Sequence, residues 1–458
     1  MRGLEGMQKV SARPNLDGAN DAALGHERRS QRVALMRNKA LLVFLIVVIL
    51  VLAPDVAAKA REKVLYRFTG GADGATPSSS LVMDAAGNLY GTTSAGGDMS
   101  QCSGAGCGTV FELTPSGSGN WQESVLYAFQ GVPDGSEPGG NLLFDESGNI
   151  YGTTAYGGTG QACKDWNTVI GCGTVFELSP NQNGTWTESV LYSFQAEPDG
   201  ALPAGLTFDT SGVLYGITVA GGDYHGTIYS LSPPKQHGDA WTERILYTFG
   251  GFFTANPGLV FDGQGNLYGT DYYYAGRQGC GYADCGAVYT LERGEKQWTE
   301  TDLYDFLGGG YGGQPAAGVI RDSRGNLFGT AAEGGNDWGI VFEVWRSGGQ
   351  WKEHMLYNFC SRNNCADGAF PLASLVMDSN GALYGTTYTG GESNGGIVFK
   401  LAYASGSWVE SVLHSFTGGA SDGAWPQESL ILDSQGDLYG VADTSYGYGS
   451  GVVFEVTP

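Results

Sequence analysis

The segment Asn88-Leu89-Tyr90-Gly91-Thr92-Thr93, followed by Gly96-Gly97 and then Gly108-Thr109-Val110-Phe111-Glu112-Leu113, is a pattern that the chain repeats along most of its length. A run reading Pro77-x-x-x-Leu81-x-x-Asp84 precedes it, and Trp121-x-Glu123-Ser124-Val125-Leu126-Tyr127-x-Phe129 follows. The Leu-Tyr-Gly element centres on Tyr90, Tyr151, Tyr215, Tyr268, Phe328, Tyr384 and Tyr439, at intervals of 53 to 64 residues. A period of this size, holding several short strand-like pieces per unit, points to a β-propeller rather than a helical solenoid. In the first unit, residues 80–84 read as strand a, 88–93 as b, 109–113 as c and 123–129 as d. The segment Asp84-Ala85-Ala86-Gly87-Asn88 makes the a–b hairpin turn, where Gly supplies a positive φ.

The two ends of the pattern decide the topology. The last unit stops at Gly451-Val452-Val453-Phe454-Glu455-Val456, a strand c with no strand d after it. Near the other end, Glu62-Lys63-Val64-Leu65-Tyr66-Arg67-Phe68 is a strand d with no a, b or c before it. Counting both gives seven of every strand. The reading is therefore an all-β, seven-bladed β-propeller of four-stranded blades. Its ring is closed by residues 62–68 joining the last blade, which leaves no unpaired seam. Leu81 and Met83 should face one neighbouring blade and Val82 the other.

On these motifs the chain resembles the GloVer tandem repeat, over residues 62–458. That resemblance implies an exported bacterial, β-rich repeat protein of unassigned activity, and it carries no catalytic residues. Family members often end in a carboxy-terminal sorting anchor; here Pro458 follows directly on a strand, so that route is not expected.

Residues 1–58 read differently from the rest. Ala40 to Ala53 is an apolar run of 14 residues behind Arg37 and Lys39, with Val56-Ala57-Ala58 after it. This is short for a membrane span and fits a signal-peptide core. Cleavage is expected after Ala58 or Ala60, with Met36 as an alternative start; an uncleaved N-terminal anchor is the other reading. Either way residues 59–458, a single propeller domain, lie outside the cytoplasm: secreted, periplasmic or at the cell surface. No further membrane span is expected, and a monomer is.

The first 58 residues hold eight Lys/Arg and five Asp/Glu, leaving 16 basic against 42 acidic groups, a net of about −26. Such a surface repels phosphate backbones and excludes nucleic acid as a partner. The eight cysteines fall into four local pairs: Cys102/Cys107, Cys163/Cys172, Cys280/Cys285 and Cys360/Cys365. With an export signal they read as disulfides. The C-x4-C and C-x8-C spacings are not those of zinc fingers.

In a propeller the b–c loops and d–a connectors share one face, and all four cysteine pairs fall there. Rigid-scaffold loops are where binding usually resides. The same face carries a repeated Asp-Gly at Asp73, Asp134, Asp199, Asp367 and Asp422. A ring of these carboxylates would bind Ca²⁺ or a polyhydroxy ligand; turn formation alone accounts for the same pattern. The Asp of every a–b turn and the Trp opening strand d (Trp121, Trp186, Trp241, Trp298, Trp351 and Trp408) read as folding residues. Tyr224, His225, Tyr273, Tyr274 and Tyr282, with Phe252, Phe253, Tyr446 and Tyr448, are loop aromatics able to stack on sugars or grip a partner. Arg321 stands where other units have Met, Phe or Leu, and would either point into the channel or pair with a carboxylate.

No nucleophile elbow, zinc-protease motif or P-loop is present. The reading is an exported binding or adhesion module for a glycan or protein ligand, with an enzyme the less favoured reading. The alternatives are a carbohydrate-active or lactone-cleaving propeller enzyme and a structural envelope protein.

Overall fold

The structure is a computed structural model that describes residues 60–458 apart from 118, 166–167, 222–224, 237–238, 251–257, 273–284, 420 and 445–449. Seven blade sheets follow one another along the chain, antiparallel apart from a short parallel pairing of Ser79–Ser80 with Gly140 and Asn141, and a two-stranded hairpin, Lys164–Asp165 with Thr168–Val169, lies in the second b–c loop. In blade one, strand a is Val82–Met83, b is Leu89–Ala95, c is Thr109–Pro115 and d is Trp121–Ala128. The last blade takes a, b and c from Ile431–Leu432, Leu438–Ala442 and Val452–Thr457, and d from Arg61–Arg67. That closing strand pairs antiparallel with the terminal one, Arg61 opposite Thr457 and Arg67 opposite Val452. The expected closure by residues 62–68 is thus the observed one, and among the described residues there is no α-helix. None of their helical turns is long and apolar enough to cross a membrane.

Every c–d pair slips register at the same place. In blade one Val110 faces Tyr127 and Phe111 faces Val125, so Leu126 is the extra residue. The closing strand does the same at Leu65, with Val64 opposite Phe454 and Tyr66 opposite Val453. Such a bulge increases the twist and re-aims the next side chain. Here it turns the tyrosine of strand d toward the d–a connector.

The core is a set of clusters, one at each blade junction. Leu81 and Met83 pack with Leu65, Phe68 and Phe111 between blades seven and one. Val82 packs with Tyr90, Phe129 and Phe176 between blades one and two. The aromatic ending each strand d meets the next blade's strand c edge-on: Phe68 on Phe111 at 5.0 Å, Phe129 on Phe176 at 5.1 Å and Phe416 on Phe454 at 5.1 Å. Edge-to-face contact suits the ring quadrupoles.

This packing dictates the Gly of Leu-Tyr-Gly. A Cβ on Gly385 would lie 2.8 Å from Phe399 Cζ and 3.0 Å from Leu375 Cδ2. Gly385→Ala is expected to cost about 1–3 kcal/mol through overpacking. Urea denaturation measures this; a midpoint equal to that of the parent would contradict the packing account.

Candidate functional site

The loops gather as the topology requires. Gly97 N–H in the first b–c loop donates to Gly71 O in the d–a connector at 3.0 Å, and Gly391 N–H donates to Cys365 O at 2.9 Å. Disulfides join Cys102–Cys107, Cys163–Cys172 and Cys360–Cys365 on this face. Cys285 is also disulfide-bonded, while its expected partner Cys280 lies outside the described residues. No described cysteine is free.

The Asp-Gly carboxylates are drawn into their own turns. Asp73 accepts from Thr69 N–H at 2.7 Å, Thr69 Oγ1 at 2.5 Å and Gly71 N–H at 3.3 Å, and from the hydroxyl of Tyr66 at 3.1 Å. Tyr127 donates to Asp134 at 3.1 Å, Tyr192 to Asp199 at 2.8 Å and Tyr357 to Asp367 at 2.8 Å. At Asp422 the partner is His414, at 2.6 Å. At Asp73, Asp367 and Asp422 burial works to raise the carboxyl, but the donated hydrogen bonds outweigh it and hold it below the usual aspartate value. Among the described residues no group of three ligating side chains contains two of these aspartates. The a–b turn Asp acts in the same local way: Asp84 accepts from Ala86 N–H at 2.8 Å and Asn88 N–H at 2.9 Å.

Facing the Asp-Gly turns at Asp73, Asp134, Asp199, Asp367 and Asp422 is a glutamate from strand d of the following blade, at the Glu position of Trp-x-Glu, where Ala60 replaces Trp before Glu62; the position recurs in all seven units. The seven are Glu62, Glu123, Glu188, Glu243, Glu300, Glu353 and Glu410. Desolvation by burial is the largest influence on all of them and pushes each up to about 7. Glu410 behaves this way even though Arg362 lies 2.6 Å from it, because its side chain is fully buried. Sequence reading passed over this ring, although the glutamate recurs at a fixed offset in every unit.

A second ring was also missed. Among the described residues, the residue before the strand-a proline adopts a left-handed backbone throughout: Thr76 (φ 54), Glu137 (φ 54), Leu202 (φ 56), Gln314 (φ 54), Phe370 (φ 56) and Trp425 (φ 53). Non-glycine residues take this conformation only when their surroundings hold them there. The clamp comes from the preceding blade: Glu137 N–H donates to Cys107 O at 2.9 Å, Leu202 N–H to Cys172 O at 3.0 Å and Trp425 N–H to Gly395 O at 2.7 Å. The acceptor belongs to a disulfide cysteine at Glu137, Leu202 and Gln314, whereas Phe370 and Trp425 are held by Trp338 O and Gly395 O. Nearby on this face, Tyr311 is 65% exposed and Trp338 is 40% exposed, the latter edge-on to Phe370 at 5.2 Å.

Below these loops a cavity of about 750 Å³ runs along the axis, lined by residues at or just before strand a of each blade: Ser80, Asn141, Leu206, Gly258, Ala317, Ser374 and Ser429. Hydrogen bonds stitch its wall, as where Ser429 N–H donates to Ser80 Oγ at 3.2 Å and Ser374 Oγ donates to Gly318 O at 3.1 Å. A side cavity of about 240 Å³ between blades seven and one is lined by Thr76, Ser78, Trp425, Gln427, Glu428 and Asp443. Glu428 borders both cavities. Its counterparts in the units of equal length are Ser79, Gly140, Ala317 and Ala373. It keeps some contact with channel space, yet the surrounding wall desolvates it and pushes its carboxyl up to about 8.

Arg321 takes neither position considered for it. It lies on the opposite face among the a–b turns, its guanidinium 6.0 Å from the centre of the Tyr268 ring, sharing a hollow with Arg324 and Arg346. His225 is a half-buried residue of the third b–c loop. Tyr224, Tyr273, Tyr274, Tyr282, Phe252, Phe253, Tyr446 and Tyr448 lie outside the described residues, as does the whole of residues 1–58.

Fold and site together define a tandem-repeat β-propeller with a loop face over a central cavity. The chain belongs to the Gloeobacter/Verrucomicrobia repeat family, whose model matches residues 55–283 and 273–458. No curated protein matches it. Among solved structures it is similar to a protein of unknown function from Dyadobacter fermentans DSM 18053, at 13% identity and TM-score 0.45, over 87% of this chain and 98% of that one. It is also similar to a gluconolactonase from Xanthomonas campestris, at 13% identity and TM-score 0.38, over 87% of this chain and 90% of that one. At that distance neither likeness carries an argument about activity.

Proposed function

We propose that the chain is an exported binding module that takes a polyhydroxy ligand, a glycan end, through its loop face at the Trp425–Glu428 cavity. The observation that carries this is the pre-proline ring. Positions that fold the unit repeat the residue, as the turn Asp and the Leu-Tyr-Gly glycine do. The ring repeats a strained backbone but changes the side chain, from Thr76 and Glu137 to Phe370 and Trp425. A fixed scaffold with varied side chains is the arrangement of a recognition surface. Trp425 offers a stacking face, while Glu428, Gln427 and Ser78 offer hydrogen bonds to hydroxyls. Disulfides on the loops and the apolar run before residue 59 support export.

Screening the full chain on a glycan array, with and without chelator, identifies the ligand. Trp425→Asn keeps a residue tolerant of positive φ and removes the ring; it and Glu428→Gln are each expected to weaken binding at least tenfold. Binding unchanged by both substitutions sinks the assignment to this cavity. Glu428 also favours a second reading. A carboxyl pushed up to about 8 keeps its proton at neutral pH, as a general acid must. Hydrolysis of a glycoside or lactone that Glu428→Gln abolishes while leaving binding intact would decide for the enzyme.

A further inference from the structure

We propose that Glu62, His414 and Asp422 form a divalent metal site of zinc type that ties the N-terminal strand to blade six. Glu62 sits on Arg61–Arg67, the strand that closes blade seven. His414 sits on Ser407–Ser415, the outer strand of blade six, and Asp422 on the connector that follows it. One ligand atom from each lies within 4.8 Å of the other two. Asp422 spends Oδ2 on Thr417 N–H and Oγ1, at 2.6 and 2.5 Å, and turns Oδ1 to His414 Nε2 at 2.6 Å. Glu62 Oε1 is sealed from solvent and accepts no hydrogen bond.

The other junctions provide the internal comparison. Glutamate faces aspartate in the same way at Glu123 and Asp73, Glu188 and Asp134, Glu243 and Asp199, and Glu410 and Asp367. Orphaned glutamate oxygens recur there too, so the orphan alone does not define the site. What is particular to the sixth junction is the third group. Tyr66, Tyr127, Tyr192, Tyr247, Tyr304 and Tyr357 occupy the position that His414 holds. A tyrosine hydroxyl stays protonated at neutral pH and donates to the aspartate, whereas a neutral imidazole nitrogen ligates.

One nitrogen and two carboxylate oxygens suit Zn²⁺ or another first-row divalent ion, and are too few oxygens for Ca²⁺. Ligand atoms on a tetrahedral zinc stand about 3.3 Å apart, as follows from bonds of about 2.0 Å. The His414–Asp422 pair must therefore open by less than about 1 Å, and the proton held between them leaves as the metal enters. Water would complete the coordination. Because the ligands come from opposite ends of the chain, binding would stabilise the closed ring by mass action.

The test uses the full chain purified without a histidine tag, stripped with EDTA and titrated with zinc chloride by calorimetry and thermal unfolding. The expected result is one zinc per chain and a raised Tm. His414→Tyr restores the residue of the other six junctions and so keeps the fold. It should bind zinc at least tenfold more weakly and lose the Tm shift, and Glu62→Gln should weaken binding as well. Absence of stoichiometric zinc uptake by the parent, or parental affinity in His414→Tyr, overturns the site.

Discussion

Removing residues 61–68 is expected to destroy the single cooperative unfolding transition of the ring and lower its Tm by more than about 10 °C. The deletion strips blade seven of its outer strand and uncovers Val452–Thr457 as a long apolar edge, an invitation to aggregation. It also removes Leu65 and Phe68 from the cluster they build with Leu81, Phe111 and Val453. Phe68 is 2% exposed and stacks on Phe111. The point variant Phe68→Ala should therefore cost about 3–5 kcal/mol on its own. Calorimetry of both variants beside the parent reads the effect. A deletion that melts as one transition within a few degrees of the parent would mean that closure contributes little.

Stability should peak in mild acid and fall toward neutral pH. The seven strand-d glutamates are raised from the ordinary 4.5 to about 7 in the folded chain, with desolvation the largest cause. A carboxyl whose folded value lies above its unfolded one favours folding fully below pH 4.5. That contribution is lost as pH climbs through 7, because the unfolded chain sheds its protons first. Asp73, Asp209, Asp262, Asp367 and Asp422 act in the opposite sense. Their folded values are lowered, so their contribution is present above 3.8 and disappears in stronger acid. The two windows leave an optimum near pH 4 to 5. After allowance for partial exposure each glutamate is worth less than about 1 kcal/mol, but seven act together, and the net charge of about −26 on residues 59–458 adds repulsion in the same direction. Melting curves from pH 4 to 8 test this, and the combined variant Glu123→Gln, Glu188→Gln, Glu243→Gln should flatten the decline. A Tm that rises steadily from pH 5 to 8 would refute it.

Architecture was legible because it is written seven times. Tyr90 and its six counterparts set the blade count, and the orphan strands at the two ends set the closure. The disulfide pairs followed from the close spacing of the cysteines, and the loop face from strand order. What was not legible depends on neighbouring units touching each other. Glu123 reads as an alternating outward residue of strand d until the bulge at Leu126 turns Tyr127 onto Asp134 and the seam between blades becomes visible. Nothing local to Trp425 announces its left-handed backbone, since a residue before proline ordinarily prefers extended geometry; the clamp is Gly395 O of the preceding blade. His414 was recognisable as a substitution for tyrosine, but Glu62, its neighbour in space, lies at the far end of the chain.

Pairing Arg61 with Thr457 makes the earliest strand of the propeller wait for the latest. Until residues 452–457 are in place, six blades and a fragment can be assembled, but the circle has a gap bordered by two ready edges. Contacts of such long sequence separation form slowly, so the ring is expected to close last. A chain truncated before residues 452–457 is therefore most vulnerable at that gap, where a protease would find both edges.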